Sequence, residues 1–377
     1  MEFLRRCWAE INFENIKYNL EQYKKCLKGK TELMCVVKAS CYGHSDELTA
    51  PFLQNQLNVK WFAVSNLNEA VRLRKIGITG QILILGYTPP VMADQLIKYD
   101  IIQACTEYDF AVRLSKNATS GNVRIHVAID TGMARIGLEG TAAQCAEMLQ
   151  KINALQHISL EGIFTHYAVA DETSPASDEY TLNQTKKILD IDDLLKEKGL
   201  NLPYVHFLNS ASGVYYYNER SSFARLGIIL YGLYPNPEKP LPFEPKTALE
   251  LKAVISQIKY IEKGDTVSYG RTYTASKRTK IATVTAGYAD GFPRALSNKG
   301  FVLVHGQRCP ITGRICMDQL MCDVSNVADV KVDDEVILIG GQGENKITAE
   351  DIAQMTGTIG YEVICDISHR VPRIKAL

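Results

Sequence analysis

The stretch LMCVVKASCYGHS, Leu33 to Ser45, carries five apolar residues straight into a lysine, Lys38, and then into Tyr42, Gly43 and His44. An ammonium group at the end of an apolar run is unfavourable unless it reaches water, is paired, or is chemically modified. Three readings follow from the residues alone: a strand end whose lysine snorkels to solvent, a phosphate-binding lysine, or a Schiff-base lysine whose lowered pKa makes it a nucleophile. The neighbours of this run along the chain decide among them.

Between about residues 12 and 232, short β-branched runs alternate with longer amphipathic segments, the pattern of repeated βα units around a parallel sheet. LMCVV near 33, WFAV near 61, QILIL near 81, IIQA near 101, VRIHVAI near 123, LEGIF near 160, YVHFL near 204 and FARLGIIL near 223 make eight candidate strands. Eight is the number that closes a TIM-type barrel. Intervening segments such as NLNEAVRLRKIG (66–77) and TEYDFAVRLSK (106–116) have apolar residues at helical spacing behind polar capping residues. An open doubly wound sheet fits less well, because it usually has five or six strands and no G-x-G-x-x-G opens the first helix.

The pattern changes after PNPEKPLPFEP (235–245), whose prolines exclude regular helix and central strand. Beyond it, LELKAVIS, TKIATVTAG, GFVLVHGQ, QLMCDVS and DEVILIGG alternate between Gly, Asp and Asn turns, with one helix expected near AEDIAQMTG. The expected fold is therefore a (β/α)8 barrel over residues 9–235 and a smaller, mostly antiparallel β domain over 236–377, with residues 1–8 packing against the latter.

Bulk properties narrow the partners. Lys plus Arg (42) equals Asp plus Glu (42), so no net field draws the chain to nucleic acid or to an anionic membrane, and a small molecule is the expected partner. No stretch approaches the ~20 apolar residues that span a bilayer, and MEFLRRCWAEIN lacks a signal-peptide core, so the reading is cytoplasmic. The ten cysteines form no C-x-x-C pair and sit mostly in apolar runs, as reduced core residues rather than metal ligands.

Barrel chemistry sits at the C-terminal ends of the strands. There the sequence places Lys38 with Tyr42 and His44, Asp130 and Arg135 in DTGMARIG, His166 in THYAVADE, Asn209 and Ser210 in FLNSAS, and Arg225 followed by Gly227. Taken singly, His166 reads as a satisfied core histidine and Arg225 as a packing arginine paired to a carboxylate. Together they offer a lysine nucleophile, hydroxyls and glycine amides for one phosphate, and an Arg/His pair for a heteroaromatic nitrogen. Pyridoxal 5'-phosphate requires that combination.

With these residues in view, the chain resembles the bacterial alanine racemase family, two-domain fold-type III pyridoxal phosphate enzymes, over essentially its whole length. VVKASCYGHS is similar to the family's pyridoxal-lysine motif, and DTGMARIG, THYAVADE, FLNSAS, ARLGIILYG, VSYGRTYTA, AGYADGFPR, GRICMDQLMCDVS and GYEVICDISHRVPR follow in the family's order. The resemblance implies that Lys38 binds the cofactor and acts as one base, and that Tyr42, Ser210, Gly227, Ile228 and Tyr361 hold its phosphate. It implies that Arg225, backed by His166, meets the ring nitrogen, and that Arg135 and the Met317 amide hold the substrate carboxylate. Tyr269 would be the second base, with Tyr288 and Asp318 shaping the entrance. It further implies a homodimer with shared active sites.

Racemisation takes a proton from one face of a carbon and returns one to the other, so it needs one acid/base on each side. Phenols ionise near pH ~10 in water, so a tyrosine base needs nearby cations such as Arg135. The chain departs from the family at Ala128, where a lysine modified to a carbamate often orients the arginine, which leaves a chloride, another carboxylate or water to take its place. It departs again at Ser40, Cys41 and Ser45. These changes suggest a divergent branch, and some branches act on serine in glycopeptide-resistance systems. Tyr361, a bulky phenol beside the substrate side chain, favours a methyl over a hydroxymethyl and hence alanine over serine. A non-catalytic pyridoxal phosphate carrier is the further alternative, but such proteins lack a second domain carrying Tyr269 and Met317.

Overall fold

The structure, a computed structural model, describes residues 5–29 and 31–376. Eight parallel strands follow one another around a barrel: Glu32–Val36, Trp61–Val64, Gln81–Ile84, Ile102–Cys105, Val123–Ala128, Ile158–Phe164, Tyr204–His206 and Phe223–Leu226. The last pairs in parallel with the first, Glu32 opposite Phe223 and Cys35 opposite Leu226. The remaining seam, between the seventh and eighth strands, is held by the Leu208–Ala224 bridge and by the Ser222 N–H donating to the Val205 carbonyl at 2.7 Å. The barrel is thus nearly closed, and its loosest seam lies between Ser210 and Arg225.

The strands are predominantly apolar because both of their faces are covered. Trp61–Val64, Ile102–Cys105 and Phe223–Leu226 are buried at every position. The segments expected to be helical are so: Asn66 caps Leu67–Lys75 by accepting from the Glu69 amide, and Tyr108–Asn117 follows Glu107. The run FARLGIIL is shorter as a strand than expected. It ends at Leu226, and Gly227 (φ −114°, ψ −103°) turns the chain into the 3-10 segment Ile228–Tyr231.

Residues 233–248 contain neither helix nor strand, in keeping with their prolines. The second domain is built on the long strand Leu249–Ile261, which pairs antiparallel with Glu335–Gln342 on one side and Cys7–Ile11 on the other. A bulge between Ile255 and Gln257 lets its far half pair with Thr279–Val284. Cys7–Ile11 also pairs in parallel with Arg373–Lys375, so residue 9 lies within a strand of this sheet, while residues 1–4 fall outside the described residues. Besides the expected helix Ala349–Thr356 there is a second, Gly360–Cys365, separated from it by Gly357 at φ +77°. Among the described residues no helix is long and apolar enough to cross a membrane.

Candidate active site

Lys38 follows the first barrel strand after one residue, Val37, and opens a left-handed turn. Ala39, Ser40, Cys41 and Tyr42 all have φ between 51° and 55°. Left-handed backbone is disfavoured for residues with a Cβ, so four in succession need outside support. Glu69 supplies part of it, accepting the Ala39 amide at 2.9 Å and the Ser65 amide at 2.7 Å. Ser40 bonds to Asp46, which Arg72 holds at 2.6 Å. Ser40 thus braces the turn, while Cys41 is buried beneath it. The turn swings Tyr42 back over the barrel mouth, where its ring lies 5.0 Å from that of Tyr231.

A cleft of about 750 Å³ opens at this end of the barrel. Lys38, Tyr42, Arg135, His166, Ser210, Arg225, Gly227, Ile228 and Tyr361 all line it, together with Ala128, Asp130 and Cys365. The fold therefore brings together nine of the residues to which the resemblance gives roles, with Asp130 and Asn209 beside them. Tyr361 arrives from the second domain on the helix Gly360–Cys365, its ring 6.3 Å from that of Tyr42. Burial, and then the charge of Arg135, lower the Lys38 pKa.

Arg225 is buried and reaches the ends of the sixth and seventh barrel strands, and every acceptor it bonds is neutral. Its Nη1 donates to His206 Nδ1 at 2.9 Å and to the His206 carbonyl, and its Nη2 donates to the Thr165 carbonyl at 2.7 Å and to His166 Nδ1 at 3.2 Å. Among the described residues no carboxylate pairs with Arg225, unlike the partner that an isolated packing arginine suggests. Burial brings the Arg225 pKa down to about 10, and burial with the neighbouring cations brings His166 down to about 3. His206, accepting on Nδ1, must carry its proton on Nε2 and donate to His126 Nδ1, 3.0 Å away. His206 and His126 were not singled out from sequence, although both interrupt apolar strands: VRIHVAI and YVHFL each place a histidine in the middle of the run.

The residues present fit pyridoxal phosphate. A Cβ on Gly227 would stand 3.0 Å from the Tyr42 hydroxyl and 3.7 Å from Ser210 Oγ, so the glycine leaves open the point where that hydroxyl, Ser210 Oγ and its own amide converge, a cradle of the kind a phosphate needs. The Gly227 amide already reaches Ser210 Oγ at 2.8 Å. Among the described residues no carboxylate pairs with Arg135.

The remaining expected residues lie elsewhere on this chain. Tyr269, Met317 and Asp318 line a separate cleft of about 510 Å³ with Ser268, Cys316, Gln319 and Met321. Tyr269 is 70% exposed and Met317 52%. Tyr288 lines neither cleft, but its amide donates to the Cys316 carbonyl at 3.0 Å. The loop is rigid. Asp290 binds Arg6 at 2.8 Å and Arg370 at 2.8 Å, and Arg370 reaches on to Asp318 at 2.7 Å.

A nearly closed parallel barrel with this cleft, joined to a β domain, defines a pyridoxal phosphate enzyme of the two-domain barrel class. Family models described as the alanine racemase N-terminal and C-terminal domains match residues 11–235 and 248–375. Alanine racemase 1 of Clostridium acetobutylicum is 43% identical over 375 residues, covering 98% of this chain and 95% of that protein. The solved alanine racemase of Clostridium difficile superposes with a TM-score of 0.92 at 39% identity, covering 100% of this chain and 97% of that one. That of Bacillus anthracis with bound L-Ala-P does so at 0.93 and 34%, covering 100% and 96%. The chain belongs to the alanine racemase family. It is accordingly an isomerase, an amino-acid racemase, and its cofactor is pyridoxal 5'-phosphate.

Proposed function

We propose that the protein interconverts L- and D-alanine by a two-base mechanism and supplies D-alanine for peptidoglycan. The observation that carries this reading is the half-buried Lys38, in one cleft with Arg225, Arg135 and the Tyr361 phenol. The bound cofactor supplies an electron sink that makes the substrate α-hydrogen removable. This chain's own groups do the rest.

Lys38 holds or moves the proton on one face of the α-carbon, and its lowered pKa raises the neutral fraction available for that role. Tyr269 serves the opposite face. Arg135 and the Met317 amide hold the substrate carboxylate, while Tyr42, Ser210, Gly227, Ile228 and Tyr361 hold the phosphate. Arg225, a cation surrounded by neutral acceptors, keeps its charge beside the ring nitrogen and disfavours a proton there, which limits side reactions. The family resemblance implies a homodimer in which each copy's second cleft faces the other's barrel, and the exposure of Tyr269 and Met317, apart from Lys38, supports that reading. Tyr288 and Asp318 then stand at the entrance, and the site is cytoplasmic.

The assay is direct: purified protein with pyridoxal phosphate is given L-alanine or L-serine, and the products are resolved by chiral chromatography. D-Alanine in excess over D-serine is expected. Dominant D-serine would shift the reading to a serine racemase of a resistance system, and no D-isomer would leave a non-catalytic pyridoxal phosphate protein.

A further inference from the structure

Arg135 has no ion-pair partner among the described residues, yet it sits on a loop with fixed geometry. The base of the loop is closed by Leu138, whose N–H donates to the Ala128 carbonyl at 2.9 Å and whose carbonyl accepts from the Asp130 N–H at 3.1 Å. Inside it, Asp130 Oδ1 accepts the amides of Gly132 at 2.8 Å and Ala134 at 3.1 Å. The outer side of the loop is held by one face of the helix Pro175–Glu197. Tyr180 donates its hydroxyl to the Gly132 carbonyl at 2.6 Å, and Lys187 donates to the Asp130 carbonyl at 2.8 Å. Between them the buried Gln184 donates to Thr131 Oγ1 at 3.0 Å and to the His166 carbonyl at 3.1 Å, and accepts the Ala168 amide at 3.0 Å.

Residues 180, 184 and 187 are spaced four and three apart, so they form one ridge of the helix. A side chain at Gly132 (φ +142°) would place its Cβ 2.6 Å from the Tyr180 hydroxyl, so the loop and the ridge are in direct contact there. Lys187 spends its ammonium on a backbone carbonyl, with no carboxylate partner among the described residues.

We infer that Tyr180, Gln184 and Lys187 are positioning residues that fix Arg135 for the substrate carboxylate. They act from outside the barrel, in a chain whose residue 128 cannot do so from inside. The inference rests on the substrate role proposed for Arg135.

The test uses the cofactor-loaded enzyme, with Tyr180→Phe/Lys187→Met as the variant and Thr185→Val as the control. Thr185 lies on the same helix and bonds to Tyr167 at 2.6 Å but does not touch the loop. Two readouts are taken: amide hydrogen exchange over residues 131–137, and KM and kcat for L-alanine. The double variant is expected to exchange faster over that segment and to raise KM about tenfold with kcat within about twofold, with the control matching wild type on both. Tyr180→Phe/Lys187→Arg, which keeps a cationic donor for the Asp130 carbonyl, should recover most of the KM. Unchanged exchange, or faster exchange with unchanged KM, would overturn the inference. Absence of racemisation by the wild type overturns the functional reading instead, and the exchange comparison still decides whether the ridge holds the loop.

Discussion

At the scale of single residues, the cleft depends on imidazoles kept neutral. Arg225 can only donate, so His206 must accept on Nδ1, and this places a proton on Nε2 and makes Nδ1 of His126 an acceptor in turn. Both rings are fully buried, and burial takes the pKa of His126 from 6.5 to about 3 and that of His44 to about 4. In the unfolded chain these groups take up protons near pH 6.5, and in the folded chain they do not. The unfolded state therefore binds more protons between the two values, and stability falls as pH drops through that window. Between pH 7 and pH 5 each of His126 and His44 should remove about 2 kcal/mol of unfolding free energy. Urea-unfolding midpoints at the two pH values measure this directly, and carboxylates contribute little in that range. Equal midpoints would show that both imidazoles already carry protons when folded, which for His126 contradicts its acceptor role toward His206.

At the scale of elements, Gly43 is the point where the two domains touch beside Lys38. It ends the left-handed turn at φ +82°, and a Cβ there would stand 2.1 Å from the backbone carbonyl oxygen of Ile364, in the helix that carries Tyr361. Gly43→Ala adds backbone strain and pushes that helix off the turn. A loss of about 3 kcal/mol is expected, with weaker retention of pyridoxal phosphate, read from thermal unfolding and from dialysis followed by absorbance. A variant with wild-type unfolding and cofactor retention would mean that the helix is not seated on the turn. The eight strands were legible in the sequence because burial on both faces leaves continuous apolar runs, and the linker because its prolines admit no regular structure. The turn itself was not legible. Ala-Ser-Cys-Tyr has no intrinsic left-handed preference, and its conformation is imposed by Glu69 and Asp46 from other segments. The helix Gly360–Cys365 was missed for a related reason: only six residues long, it is too short to show helical periodicity.

At the scale of the whole molecule, the family motifs place Lys38 and Tyr269 in one reaction, yet on a single chain they belong to two clefts. No periodicity in the sequence reveals this separation, because it depends on how the β domain is carried relative to the barrel. The proposed dimer reconciles the two facts, and complementation discriminates it from a site completed within one chain. In Lys38→Ala, every barrel lacks its lysine and the cofactor loses its borohydride-sensitive absorbance. In Tyr269→Phe, the absorbance is kept but turnover is lost. Each variant alone should be inactive. Co-expressed with two different affinity tags and purified through both, they yield only mixed dimers. Such a dimer pairs the intact Lys38 of one copy with the intact Tyr269 of the other at one of its two sites, so about half of wild-type activity per dimer is expected. If Tyr269 instead served the barrel of its own chain, each site would lack one base and the doubly purified dimers would be inactive. Loss of activity in the mixed dimer would therefore reject the shared site even with the family assignment intact, while activity near half would identify the exposed Tyr269 as the base acting across the interface.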